Sequence, residues 1–315
     1  MSKVVAWCTG VVLAGAIAVC VPSAAAQSAG SWGRAIGVPG LAALNLGGSA
    51  SVTTMSCPSA GNCAVSGYYS DRHEKSQGFV AAERNGRWGT AIELPGLSAL
   101  NKGEFAKVDE VSCGSAGNCA IGGYYSGSRS QQGFVALERD GRWGKAIGVP
   151  GLAALNKGQT AEVNSVSCGS ASNCVAGGYY SFGPIGQRGF VAVERNGRWD
   201  KATEVPGLGA LNKGGFAEVE SVSCSSPGNC AAGGQYSNGP GGVDVREFAV
   251  SERNGRWGKV IDVPGLATLN TGQGAEIDSV SCSPAGNCAA GGCYMHAAAP
   301  PFFSQTQAFV VSRSS

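Results

Sequence analysis

Residues 143–181 read WGKAIGVPGLAALNKGQTAEVNSVSCGSASNCVAGGYYS, and after a short variable segment residues 188–198 read RGFVAVERNGR. This stretch divides into four short strands. Ala161–Cys168 places Val163 and Val166 in an extended run, Cys174–Ser181 is small and aromatic, and Gly189–Arg195 alternates apolar with polar residues as a half-buried strand does. Asn196-Gly197 then marks a tight hairpin, because both residues accept positive φ at little cost. Trp199 opens the fourth strand, which stops at Pro206-Gly207. Helical periodicity is absent, and 51 glycines would weaken helices. Leu208–Lys213 has room for one helical turn.

The same phrase recurs along the chain. Trp32, Trp88, Trp143, Trp199 and Trp257 open successive copies at intervals of 56, 55, 56 and 58 residues. Five copies span Trp32 to Ser315, leaving no place for a second domain or a long linker. Four-stranded units of this length repeated around an axis predict a β-propeller, all-β and five-bladed. The ends support closure. The last copy finishes on its third strand at Phe309-Val310-Val311, and the first begins with a fourth-type strand at Trp32–Val38. An N-terminal strand that completes the last blade would close the ring and leave no edge exposed. A linear β array is the alternative.

The rest of the composition bounds the function. Charged residues are 14% of the 315, and the formal net charge is +2, so nothing favours nucleic-acid binding. The apolar run Val4–Val21, broken by Pro22 and followed by Ala24-Ala25-Ala26, reads as a signal peptide over residues 1–26. The mature chain then runs 27–315 as a single secreted, monomeric domain with no membrane insertion after cleavage; a retained anchor is the alternative. Ten cysteines form pairs with five residues between the members: Cys57/Cys63, Cys113/Cys119, Cys168/Cys174, Cys224/Cys230 and Cys282/Cys288. A metal site needs four ligands in one place, and each pair stands alone without histidine, so these are disulfides. Each closes a short loop, worth about 2–2.5 kcal/mol, and together they staple the face opposite the variable loops. Cys293 is left over, either as a buried thiol or for an intermolecular bridge. His73 and His296 sit in variable loops, and no metal or cofactor is expected.

The phrases SVSCSSPGNCAAGG and FVALERDGRWGKAIGVPGLAALNKG resemble a repeat of secreted actinobacterial proteins, mostly uncharacterised and taken to be propellers. The resemblance covers all five copies and implies the same fold. The ERNGRW turn is also distantly similar to the Asp-box hairpin of sialidase-type propellers, though shorter and without its Ser-x-Asp start.

Residues that recur in every copy serve the blade: the tryptophans pack between sheets, and the Glu-Arg pairs before the hairpins serve turn pairing and solvation. The second-to-third loops differ in every copy and share a face with the blade connections, which makes that face the expected site. Two constellations compete there. Tyr69, Tyr125, Tyr180, Tyr236 and Tyr294 end the second strands, and Asn45, Asn101, Asn156, Asn212 and Asn270 lie in the connections. Five tyrosine–asparagine pairs would suit a lectin-like binder of extracellular carbohydrate acting by avidity. Asp109, Glu220 and Asp278, with Thr53 and Asn164, occupy one position on the first strands and could face one channel. They form the alternative, a glycoside hydrolase with paired carboxylates. A scaffold that binds a cell-surface protein through the variable loops is the third reading.

Overall fold

Each repeat folds into one antiparallel sheet. The computed structural model describes residues 32–315 except 184–185, 243, 273, 298–303 and 314–315. The leader, its cleavage site and the start of the mature chain lie outside the described residues. The chain divides into two units, 1–36 and 37–315, and the second holds every sheet. In the third repeat the strands are Ala161–Ser170, Asn173–Ser181 and Gln187–Arg195, followed by two short pieces, Arg198–Trp199 and Thr203–Glu204. Both pieces pair with the third strand, Trp199 opposite Glu194 and Thr203 opposite Val191, so the expected fourth strand exists but is interrupted. The first, second and fourth repeats follow the same plan, with first strands Ala50–Ser59, Ala106–Ser115 and Ala217–Ser226.

The fifth sheet has three strands, Ala275–Cys282, Cys288–Ala297 and Ser304–Arg313. Here the structure departs from the closing strand expected from the sequence. Residues 32–38 carry no strand, and the edge of Ser304–Arg313 is open, with Val310 87% exposed. The equivalent Val80, Val135 and Val191 are covered by fourth strands and are 0–1% exposed.

Consecutive sheets pack face to face. One cluster joins Ala120 and Val135 of the second sheet to Val163, Val166, Ala176 and Trp199 of the third. The recurrent SVSC phrase accounts for the polar part of the junction. The Ser112 hydroxyl accepts the Cys168 N–H at 3.0 Å, and Ser56–Cys113, Ser167–Cys224 and Ser223–Cys282 repeat the bond at 3.0, 3.0 and 2.9 Å. The paired glycines have a steric cause. A Cβ on Gly122 would lie 2.3 Å from Val163 of the next sheet, and one on Gly123 would lie 2.1 Å from the Lys107 carbonyl.

The five disulfides form as expected, each within its own repeat: Cys57–Cys63, Cys113–Cys119, Cys168–Cys174, Cys224–Cys230 and Cys282–Cys288. They do more than staple one face, because one cysteine of each bridge is buried. Cys63, Cys119, Cys174, Cys230 and Cys288 stand on the second strands and are buried. Cys119, Cys174, Cys230 and Cys288 belong to the apolar clusters between sheets. The cause is register. The cysteines of a bridge face each other across the first and second strands, as Cys168 faces Cys174, so the sulfurs sit within the sheet and not beyond its end. Cys293 is a free, half-buried thiol. No helix among the described residues is long and apolar enough to cross a membrane.

Candidate functional site

The first strands each carry a bulge at the position singled out in the sequence. Val108 pairs with Gly123 and Glu110 with Gly122, which leaves Asp109 as the extra residue. Thr53, Asn164, Glu220 and Asp278 are the extra residues of the other four bulges. Bulges re-aim side chains, and two of these hydrogen-bond the backbone of the next repeat. Thr53 Oγ1 donates to the Val108 carbonyl at 2.6 Å, and Asn164 Nδ2 donates to the Val219 carbonyl at 2.9 Å.

Two residues before each bulged position, counting Asp109 as zero, stand Ser51, Lys107, Glu162, Glu218 and Glu276. Their direct cross-strand partners are Tyr68, Tyr124, Tyr179, Gln235 and Cys293. Directly opposed residues share a face, so four of the five repeats set an acid or lysine beside a half-buried partner. Within the row the side chains link in two groups. Lys107 Nζ lies 2.7 Å from Asp109, and Asp109 contacts Glu162 of the next repeat. Glu162 accepts from Tyr179 Oη and from Gln131 Nε2, both at 3.2 Å. Glu218 accepts from Gln187 Nε2 at 3.1 Å and from Gln235 Nε2 at 2.8 Å, and Gln235 also reaches Glu220 at 3.2 Å. Phe105, half exposed, stacks on Tyr124 with centroids 6.2 Å apart.

Burial sets the electrostatics of the row. It pushes the Glu162 carboxyl up to about 7, and the Asp109 charge adds to the effect. Glu218 is raised first by burial and then by Glu220, with which it shares a hydrogen bond. Asp109 and Glu110 are raised by burial, as is Glu276, to which Asp278 and Glu220 add. Near neutral pH a carboxyl raised as Glu162 is can donate as well as accept a hydrogen bond. No group of three potential metal ligands converges among the described residues.

The expected tyrosine–asparagine pairs are not formed. Tyr69, Tyr180 and Tyr236 are 1–3% exposed, and their hydroxyls donate to Glu93, Glu204 and Asp262 on the fourth strands of their own sheets. Tyr125 and Tyr294 pack against the sheet clusters. The asparagines hold the chain between repeats. Asn101 Nδ2 donates to the Ser76 carbonyl, Asn156 to Gln131, Asn212 to Gln187 and Asn270 to Val245, while Asn45 Oδ1 accepts from Ser70 N–H. A buried ring offers no platform to a sugar; the half-buried tyrosine one place earlier in each Tyr-Tyr pair is the outward one.

The Glu-Arg pairs also differ from their expected role. Glu138, Glu194 and Glu252 are buried and meet arginines of the preceding repeat, not of their own turn. Asp109, Glu220 and Asp278 do lie on three first strands, and each stands beside an acid of the row: Asp109 contacts Glu162, Glu220 shares a hydrogen bond with Glu218, and the Asp278 charge acts on Glu276. His73 and His296 are exposed, and His296 contacts Thr271 Oγ1 at 3.2 Å.

No family model and no curated protein matches the chain. Among solved structures, a Dyadobacter fermentans protein of unknown function is 10% identical with a TM-score of 0.47, over 82% of this chain and 79% of that one. An alpha-L-arabinofuranosidase from Podospora anserina, solved with cellotriose, is 11% identical with a TM-score of 0.36, over 84% of this chain and 92% of that one.

Proposed function

We propose that this chain is an extracellular carbohydrate-binding protein whose ligand lies along the row of acids, amides and outward tyrosines on the first and second strands. The carrying observation is the Glu162–Tyr179 cross-strand pair, flanked by Lys107–Tyr124 on one side and Glu218–Gln235 on the other. A tyrosine ring offers a flat apolar surface to a sugar ring, and an adjacent carboxyl or amide pairs with its hydroxyls. The disulfides fit an oxidising compartment, and secretion through the 1–26 leader completes the reading. This reading takes the role as binding, supported by acids of the row that touch in pairs. Asp109 contacts Glu162, and Glu218 shares a hydrogen bond with Glu220. A retaining hydrolase keeps its two carboxyls about 5–5.5 Å apart.

A glycan and polysaccharide binding array on residues 27–315, with product analysis, tests the function. Tyr179→Ala should weaken the bound sugar tenfold or more, and Tyr180→Phe should leave binding intact. Turnover abolished by Glu220→Gln would replace binding with hydrolysis. Failure to bind any sugar would overturn the carbohydrate reading and direct attention to a protein partner.

A further inference from the structure

Three of the four junctions between sheets carry the same ion pair. Arg84 meets Glu138, Arg139 meets Glu194 at 2.5 Å, and Arg195 reaches Glu252 at 3.6 Å. The arginine ends the third strand of one sheet, and the glutamate stands near the end of the third strand of the next. Register fixes the glutamate position, since Glu138 faces Cys119 and Glu194 faces Cys174. In the fifth sheet the residue that faces Cys288 is Arg313. Phe309-Val310-Val311-Ser312-Arg313 thus runs in step with Phe190-Val191-Ala192-Val193-Glu194 and ends in the opposite charge.

Arg253 is the arginine that ends the third strand of the fourth sheet, and its counterpart across the junction is a second guanidinium. Burial and the Arg253 charge together hold Arg313 below the usual arginine range. Arg313 Nη1 donates to Ser251 Oγ at 2.6 Å, while its buried Nε has no partner among the described residues. Both arginines line one cleft, together with Asn229, Asn254 and the loop Pro284–Gly286, and no acidic residue among the described residues lines it. Arg253 is exposed and Arg313 half-buried, so the two like charges repel at short range, and an anion between them would relieve that repulsion.

We propose that this cleft is a binding site for an oxyanion group (carboxylate, sulfate or phosphate) held between Arg253 and Arg313 where the other junctions keep a glutamate. Guanidinium forks match the geometry of such groups and bind them through two bonds at once. The site lies at the disulfide end of the sheets. The row of acids is five residues away along the second strand, about 17 Å at 3.3 Å per residue. The two sites are therefore separate, and this inference does not rest on carbohydrate binding.

The test uses residues 27–315 and the variant Arg313→Glu, which restores the acid of the other junctions. Sodium sulfate, phosphate and acetate are titrated at constant ionic strength while thermal unfolding is followed. At a hundredfold excess over the dissociation constant, at least one anion should raise the parent Tm saturably by about 3–5 °C. The three anions distinguish tetrahedral from planar groups. Arg313→Glu should show no such rise and should melt above the parent in chloride alone, because Arg253 regains its partner. Arg253→Gln should also lose the response, and it decides the matter if Arg313→Glu fails to fold. A rise shared by parent and variants, or one that never saturates, would be a general salt effect and would overturn the proposal. So would an Arg313→Glu variant that folds but melts below the parent.

Discussion

At the scale of single residues, the row is most informative where its protons are held. Folded Glu162 keeps its proton up to about pH 7, whereas the unfolded chain releases it near the ordinary value of 4.5. Between those limits the folded state binds more protons, so stability falls as pH rises. Glu162→Gln removes that dependence. It should match the parent at pH 4 and exceed it at pH 8 by about 1–3 kcal/mol in urea unfolding. A variant less stable than the parent at pH 8 would mean that Tyr179 and Gln131 hold the ionised carboxylate well enough to offset its burial. The sequence displayed these acids and tyrosines without showing which tyrosine faces outward. Alternation along a strand assigns two faces but not their sides. The side is set by Val163 of the next sheet pressing on Gly122, a contact between residues 41 apart that no local pattern reports.

At the scale of elements, legibility was higher. The disulfides, the Asn196-Gly197 turn and the single helical turn at Leu208–Leu211 formed where local chemistry placed them. Spacing showed that Cys63 pairs with Cys57 and Cys230 with Cys224, but not that Cys63 and Cys230 would be buried, since burial comes from the sheets around them. The broken fourth strand was not visible, because its interruption is a register shift between Trp199 opposite Glu194 and Thr203 opposite Val191. Nor was the destination of the Glu-Arg pairs visible. Four copies carry both partners, so pairing within a turn and pairing across a junction look identical in the sequence. The serine hydroxyls between first strands give this scale its test. Ser167→Ala leaves the Cys224 N–H without its acceptor at a half-buried junction. The loss should be about 1–2 kcal/mol and lower Tm by roughly 2–3 °C. Ser225 bonds within its own loop, to the Asn229 carbonyl, so Ser225→Ala serves as the control that leaves the junction alone.

At the scale of the whole molecule, the repeat was the most legible feature and ring closure the least. Periodicity counts sheets directly, whereas closure depends on curvature accumulated over junctions whose contacts the sequence does not spell out. Deleting residues 27–37 isolates the closing segment while keeping Val38, which packs on the first sheet's cluster. Residues 32–37 carry no strand and Trp32 and Ile36 are exposed, so the deletion should leave Tm unchanged to within about 1 °C in thermal unfolding. A large loss of stability would mean that the segment read from the sequence as a closing strand does serve the fold.

The placement of the sulfur bridges has a mechanical consequence. Each joins residues six apart within one hairpin, and none joins one sheet to the next. Covalent reinforcement therefore comes as separate beads along the chain. It protects each hairpin against nicking, because a cut between bridged cysteines does not release the ends. Tension applied between neighbouring repeats meets no sulfur, and rests on serine hydroxyls, ion pairs and packed valines. The molecule is hardened against cutting and left soft against pulling.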